Sequence, residues 1–206
     1  MAEIVEIHPK NPQPRLIARV AAALNSGALI AYPTDSSYAF GCKLGNSQCR
    51  DRIRSIRQTD KHHNFTLVCK DLSEIATYAR VDNWAYRLLR SFTPGPYTFI
   101  LRATSEVPKR LQHPKRRTIG IRVPDHPVTH ALLDSLGEPI MSSTLMLPDT
   151  DMPMIDPIEI DERIGDRIDL ILDCGACSLR PTSVVDLSSG AVDIIRRGSG
   201  DLSVFE

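Results

Sequence analysis

Short apolar runs alternate with segments of helical period along most of this chain, and that alternation restricts the fold more than any other feature. The strand-like runs are ALIAYPT, FTLVCK, YTFILRA, TIGIRVP, PIMSST, IDLILD, TSVVDL and AVDIIRR. Between them, residues 15–26 place Leu16, Ile17, Val20, Ala21 and Leu24 on one helical face, and Gly27 ends that helix. Residues 47–58 form a helix with Ile53 and Ile56 inward and a row of Arg outward. Asp71 opens the next helix, with Glu74 three residues on in the manner of a capping box. Residues 82–92 are helical and stop at TPGP, which no helix crosses. A short helix is expected around 105–113, one over 126–137 closed by Gly137, and a polar one over 156–166. Residues 147–157, with three Pro and three Asp, make a loop. At least seven strands and five or six helices in this order imply an α/β (α+β) domain around a mixed twisted open sheet. The 206 residues fit a single domain, 1–206, able to bury about 70% of its unfolded surface.

The composition excludes some classes. No apolar run approaches the ~20 residues of a membrane span, and residues 1–10 lack the apolar core of a signal peptide. The five Cys, at 42, 49, 69, 174 and 177, are odd in number and scattered, so reduced thiols and a cytoplasmic location are expected. Net charge is zero but unevenly spread: residues 1–130 hold 20 Lys and Arg against 10 Asp and Glu, and residues 131–206 hold 5 against 15. A cationic face suits a nucleotide or RNA, unless the two parts interleave in space and neutralise.

Several strand ends are more polar than turn chemistry requires. Residues 34–37 follow the first strand with Thr34, Ser36 and Ser37. Alternation puts Thr118, Gly120 and Arg122 on one side of TIGIR. Ser142, Ser143 and Thr144 end one strand, Thr182 and Ser183 open another, and Arg196 and Arg197 end the last. Each cluster alone is explained by caps and turns. Together they suit a ligand beyond the strand ends, with hydroxyls on phosphate oxygens and Arg on phosphate or carboxylate. Arg122, flanked by Ile121 and Val123, needs a partner or an anionic ligand. Lys115, Arg116 and Arg117 read equally as a solvated basic loop. Cys174 and Cys177 form a C-x-x-C without a second pair or nearby His, and a loop with free thiols is the expectation. His62 and His63 are not spaced as a ligand pair, and no P-loop or G-x-G-x-x-G occurs.

In chain order, YPTDSSYAFGC, TPGPYTFIL, TIGIRVPDHP, MSSTLMLP and PTSVVDL…IIRRGSGD resemble the YrdC/YciO family over nearly the whole length, and HNFTLVCKDLSEIATYARVDN and SSTLMLP resemble its YciO branch. The resemblance implies a twisted open α/β sheet with a large electropositive cavity, related to a riboflavin-pathway synthase. It implies the activity of L-threonylcarbamoyladenylate synthase, which makes the donor for t6A modification of tRNA from L-threonine, bicarbonate and ATP and releases diphosphate. Mg²⁺ would accompany ATP, with no tightly bound metal. It also implies, as an alternative, a non-catalytic double-stranded RNA or tRNA-binding module using the cationic N-terminal part. No membrane partner is expected.

Carried over by position, the threonine contacts fall on Thr34, Arg122 and Thr182. The contacts to ATP or AMP fall on Thr118, Ser143, Thr144 and Arg196. Two departures stand out. Where the active branch has K-x-R-P, this chain has Arg57 for the Lys, Thr59 for the Arg and Asp60 for the Pro, with Lys61 or His63 available to restore a cation. Where it has S-A-N, this chain has Thr144, Leu145 and Met146, a thioether in place of an amide. Each lost donor removes about 1.5–3 kcal/mol of charge-assisted bonding, which predicts reduced or altered turnover.

Overall fold

The computed structural model of the chain describes residues 1–59 and 63–205. Eleven strands among these residues form one mixed sheet: β1 (Glu3–Glu6), β2 (Ile30–Tyr32), β3 (Ala39–Lys43), β4 (Thr66–Val68), β5 (Ala79–Arg80), β6 (Tyr97–Ala103), β7 (Thr118–Arg122), β8 (Ile140–Thr144), β9 (Leu170–Asp173), β10 (Ser183–Asp186) and β11 (Asp193–Arg196). Their order across the sheet is β1-β9-β2-β3-β8-β4-β7-β6-β10-β11, with β5 paired to β6. β1/β9, β2/β9, β4/β7 and β6/β10 are parallel; the remaining pairs are antiparallel. The architecture is the mixed α/β sheet that the alternation implies. β1, β3 and β5 were not foreseen.

Six helices flank the sheet: α1 (Pro14–Asn25), α2 (Ser47–Arg57), α3 (Leu72–Tyr78), α4 (Asn83–Phe92), α5 (Pro127–Leu136) and α6 (Pro157–Ile164). Strand alternation splits the core in two. On one face, Ile17, Val20 and Leu24 of α1 and Val128, Leu132 and Leu133 of α5 cover Ile30, Tyr32, Ile140, Leu170 and Leu172. On the other, helices including α2, α4 and α6 pack over Ala31, Phe40, Leu67, Phe99, Ile121 and Val185. The ends follow local chemistry. Asp71 accepts from the Glu74 N–H at 2.9 Å while Glu74 accepts from the Lys70 N–H at 2.7 Å, a variant of the capping box. Gly137 closes α5 at φ +72°.

Two expectations are corrected. Residues 105–113 form turns, not a helix. Pro108 removes an N–H, and the Gln112 amide donates to the Val107 carbonyl at 2.8 Å and the Thr104 carbonyl at 3.4 Å, an alternative to helical bonding. The Arg row of α2 is not wholly outward, because Arg50 is buried and ion-paired to Asp51. The basic and acidic parts do interleave: Lys43–Glu138, Arg52–Asp169, Lys70–Asp134 and Arg116–Asp186 join them. No helix among the described residues is long and apolar enough to cross a membrane.

Candidate functional site

α1 and α5 cover only part of their face. Further across, β8, β4, β7 and β6 place Ser142, Thr66, Gly120 and Ile100 in one register row. Thr98, Thr118, Arg122 and Val184 lie on the same side by alternation. These residues floor a cavity of about 590 Å³, within the usual range for small-molecule sites. Gly120 keeps the floor low: a Cβ there would lie 3.1 Å from Thr66 Oγ1 and 3.4 Å from Thr98 Cγ2.

Of the residues singled out in the sequence, Arg57, His63, Thr118, Arg122, Ser143, Thr144, Thr182 and Arg196 all line this cavity. Thr34 does not. It lies behind the wall, where its Oγ1 donates to the Ser37 carbonyl at 2.7 Å and accepts from the N–H groups of Ser36 and Ser37, both at 3.2 Å. Thr34 thus knots the turn that presents Ser36 and Ser37 to the cavity. Lys61 lies outside the described residues.

Arg122 is paired inside the protein. Its Nη2 donates to Asp35 and its Nη1 to Ser36 Oγ at 3.3 Å, while Asp35 also accepts from the Asp125 N–H at 2.9 Å. Arg122 Nε is buried without a hydrogen-bond partner among the described residues. The charge expected to await a ligand is therefore already balanced, and one donor remains.

Two other cations are not balanced by any acid among the described residues. In the last turn of α2, Arg57 Nη1 donates to Ser143 Oγ at 2.6 Å and lies 2.9 Å from His63 Nε2, which is itself 2.9 Å from Ser143 Oγ. The His63 ring stands edge-on to Phe65 at 5.1 Å. Beside β10, Arg196 Nε and Nη2 donate to the carbonyl and Oγ1 of Thr182, both at 3.0 Å, and Thr182 bonds Thr98 Oγ1 at 3.0 Å. Neither Arg57 nor Arg196 has a carboxylate in ion-pair range among the described residues. Burial lowers the pKa of both, and the charge of Arg122 adds to the effect at Arg196. An anion between them would relieve that cost.

Thr144 stands exposed at the rim, and Met146 presents its thioether to the cavity. Arg116, which the sequence leaves evenly divided between a solvated loop and a ligand contact, reaches the cavity and pairs with Asp186 at 2.9 Å. Asp35, Thr98 and His113 are the site neighbours that sequence reasoning missed. Asp35 carried a signal, an acid in a hydroxyl-rich turn, but its partner is 87 residues away. Cys174 and Cys177 are free thiols, held up to about 12 and about 11 by burial, which disfavours the thiolates that redox or metal chemistry needs.

The chain is 48% identical to the YciO protein of Escherichia coli (strain K12) over 205 residues, covering 100% of both. The crystal structure of E. coli YciO matches this fold with a TM-score of 0.96, covering 100% of both chains. A threonylcarbamoyl-AMP synthase of Vibrio vulnificus (strain YJ016) is 28% identical over 160 residues, 76% of this chain and 84% of that protein. P. abyssi Sua5, solved with L-threonine, shares the fold at 20% identity and a TM-score of 0.89, covering 98% of this chain and 59% of that one. The family model Sua5_yciO_yrdC, described as telomere recombination, matches residues 22–198, and the chain belongs to the Sua5/YciO/YrdC family.

Proposed function

We propose that the cavity binds ATP together with L-threonine or a similar small acid, and that the chain carries out, at a reduced rate, the chemistry of a threonylcarbamoyl-AMP synthase. The observation that carries this reading is a pair of desolvated guanidiniums, Arg57 and Arg196, on either side of one hydroxyl-lined cavity and without a carboxylate partner among the described residues. The sheet order separates them by the width of β4, β7 and β6, enough for a polyphosphate rather than a single carboxylate. The names of the V. vulnificus relative and of P. abyssi Sua5 with L-threonine point the same way.

In this reading Arg57, His63, Ser143, Thr144, Thr118 and Arg196 hold the nucleotide, with Lys61 as a further cation. Arg122 and Thr182 hold the amino acid on a wall braced by Thr34. The threonine amine, carboxylated by bicarbonate with loss of water, becomes a carbamate. Its oxygen attacks the α-phosphorus, the bond from that phosphorus to the bridging oxygen breaks, and diphosphate leaves with the electron pair. The protein supplies position and cationic charge, not a covalent partner. Among the described residues no group of three His, Cys, Asp or Glu is arranged to hold a metal, so Mg²⁺ would enter on the phosphates of its substrate. The Met146 thioether offers no amide donor, which accounts for the reduced rate.

The test is to incubate the protein with L-threonine, bicarbonate, Mg²⁺ and ATP labelled on the α-phosphate. Mass spectrometry should find threonylcarbamoyl-adenylate matched by released diphosphate, and Arg196→Ala should sharply reduce both at subsaturating ATP. Nucleotide binding without product would overturn the synthase reading and leave a binding function.

A second reading is favoured by one observation, the exposure of Lys109, Arg110, Lys115 and Arg117. These suit double-stranded RNA or tRNA. Binding should then weaken steeply with salt, and RNA affinity that is absent at low salt or insensitive to salt would remove this reading.

A further inference from the structure

A second hollow adjoins the main cavity, with Leu111 contributing to both walls. It measures about 280 Å³, and its charged lining is Arg50, Lys109 and Arg110, with no carboxylate. Leu111 and Met141 supply an apolar floor, and both are buried. Lys109 and Arg110 have no ion-pair partner among the described residues. Arg50 is 8% exposed and donates Nε and Nη2 to one oxygen of Asp51, at 3.0 and 2.9 Å. Its Nη1 has no partner among the described residues, and Asp51 does not line the hollow. The start of α2 closes one end. The Asn46 side chain takes the Cys49 N–H at 3.0 Å, leaving the N–H of Ser47, a lining residue, without an acceptor among the described residues.

We propose that this hollow is a binding site for a small phosphate anion, the size of phosphate or diphosphate. The volume falls just below the ~300 Å³ at which small-molecule pockets begin, which suits a small anion. Three cations against one shared carboxylate leave an excess positive charge. The apolar floor lowers the local dielectric, which strengthens each contact to an anion. Arg50 supplies a planar donor edge, the exposed Lys109 and Arg110 add two more cations to the lining, and the α2 terminus adds an N–H and the positive end of its dipole. The site is separate from Arg57 and Arg196, so it stands whatever the main cavity turns over.

Amide NMR of the full chain, titrated separately with inorganic phosphate and inorganic diphosphate in low-chloride buffer, tests this. Saturable shifts at Ser47, Gln48 and Arg110 are expected. They should weaken at least tenfold in Lys109→Gln/Arg110→Gln, whose exposed positions leave the melting temperature unchanged, and persist in Arg196→Ala. Three results would overturn the proposal: shifts confined to Thr118 and Ser143, shifts that never saturate, or shifts that ignore the double substitution. Response to a short RNA duplex but not to free diphosphate would equally overturn it.

Discussion

The sheet face that carries α1 and α5 has two halves built from the same period-2 strands. Under the helices it presents Ile30, Tyr32, Ile140, Leu170 and Leu172, packed against Val20, Leu24 and Leu132. Beyond them it presents Thr66, Thr98, Thr118, Gly120 and Arg122 to the cavity. The border runs along β8, where Tyr32 reaches across to bond Ser142 Oγ at 2.8 Å. Burial pushes the Tyr32 hydroxyl up to about 12, so it stays protonated there. The covered half stores stability. The open half gives up apolar burial to keep hydroxyls and cations facing a cavity, so mutations in the two halves should separate folding from binding.

The largest effect is expected at Asp35, the acid that neutralises Arg122 in the open half. Asp35→Ala leaves Arg122 buried and unpaired and should cost about 3–5 kcal/mol in urea unfolding. Asp35→Asn/Arg122→Met should recover much of that, and failure to do so would assign the cost to the turn instead. In the covered half, Leu132→Ala should cost about 2–5 kcal/mol through transfer and cavity terms. The folded fraction of that variant should bind nucleotide unchanged. Arg196→Ala should show the reverse: a small shift in the unfolding midpoint, and nucleotide affinity lower by about 1.5–3 kcal/mol, roughly 10- to 150-fold by calorimetry.

The smallest effect concerns pH. Burial holds His126, at the start of α5, below its ordinary value of 6.5; Asp35 and Asp125 oppose this and His130 reinforces it. The unfolded chain therefore takes up a proton first as pH falls. The contribution of neutral His126 to stability is full above 6.5 and is lost as pH falls below 6.5 towards the folded value. His126→Gln should flatten that part of a stability–pH profile, and an unchanged slope would assign it to other groups.

The alternation of elements was legible because strand and helix periods differ, and helix ends carried their own marks in Asp71, Gly137 and TPGP. β3 was hidden because its run, AFGCK, follows the hydroxyl turn directly, with a glycine in its centre. The helix expected at 105–113 failed where a proline and a side-chain amide outcompeted local propensity. Arg122 could be singled out because a cation in an apolar strand demands compensation. Its partner Asp35 could not, since strand pairing alone brings residues 87 apart together. Arg116 is undecided in the sequence for a related reason: it is one of three consecutive cations, and only the position of β10 shows that it meets Asp186.

The Arg122–Asp35 pair has a bearing on selectivity. Any free acid that approaches Arg122 competes with a carboxylate tethered to the same chain, whose effective concentration exceeds that of a dilute metabolite. Simple acids such as acetate should lose that contest. An acid succeeds by exchanging places with Asp35 while gaining contacts elsewhere, or by leaving Asp35 alone and taking the unused Nε. The pocket is in that sense occupied by its own decoy, and occupancy by an outside acid then reports on the rest of that molecule rather than on its charge.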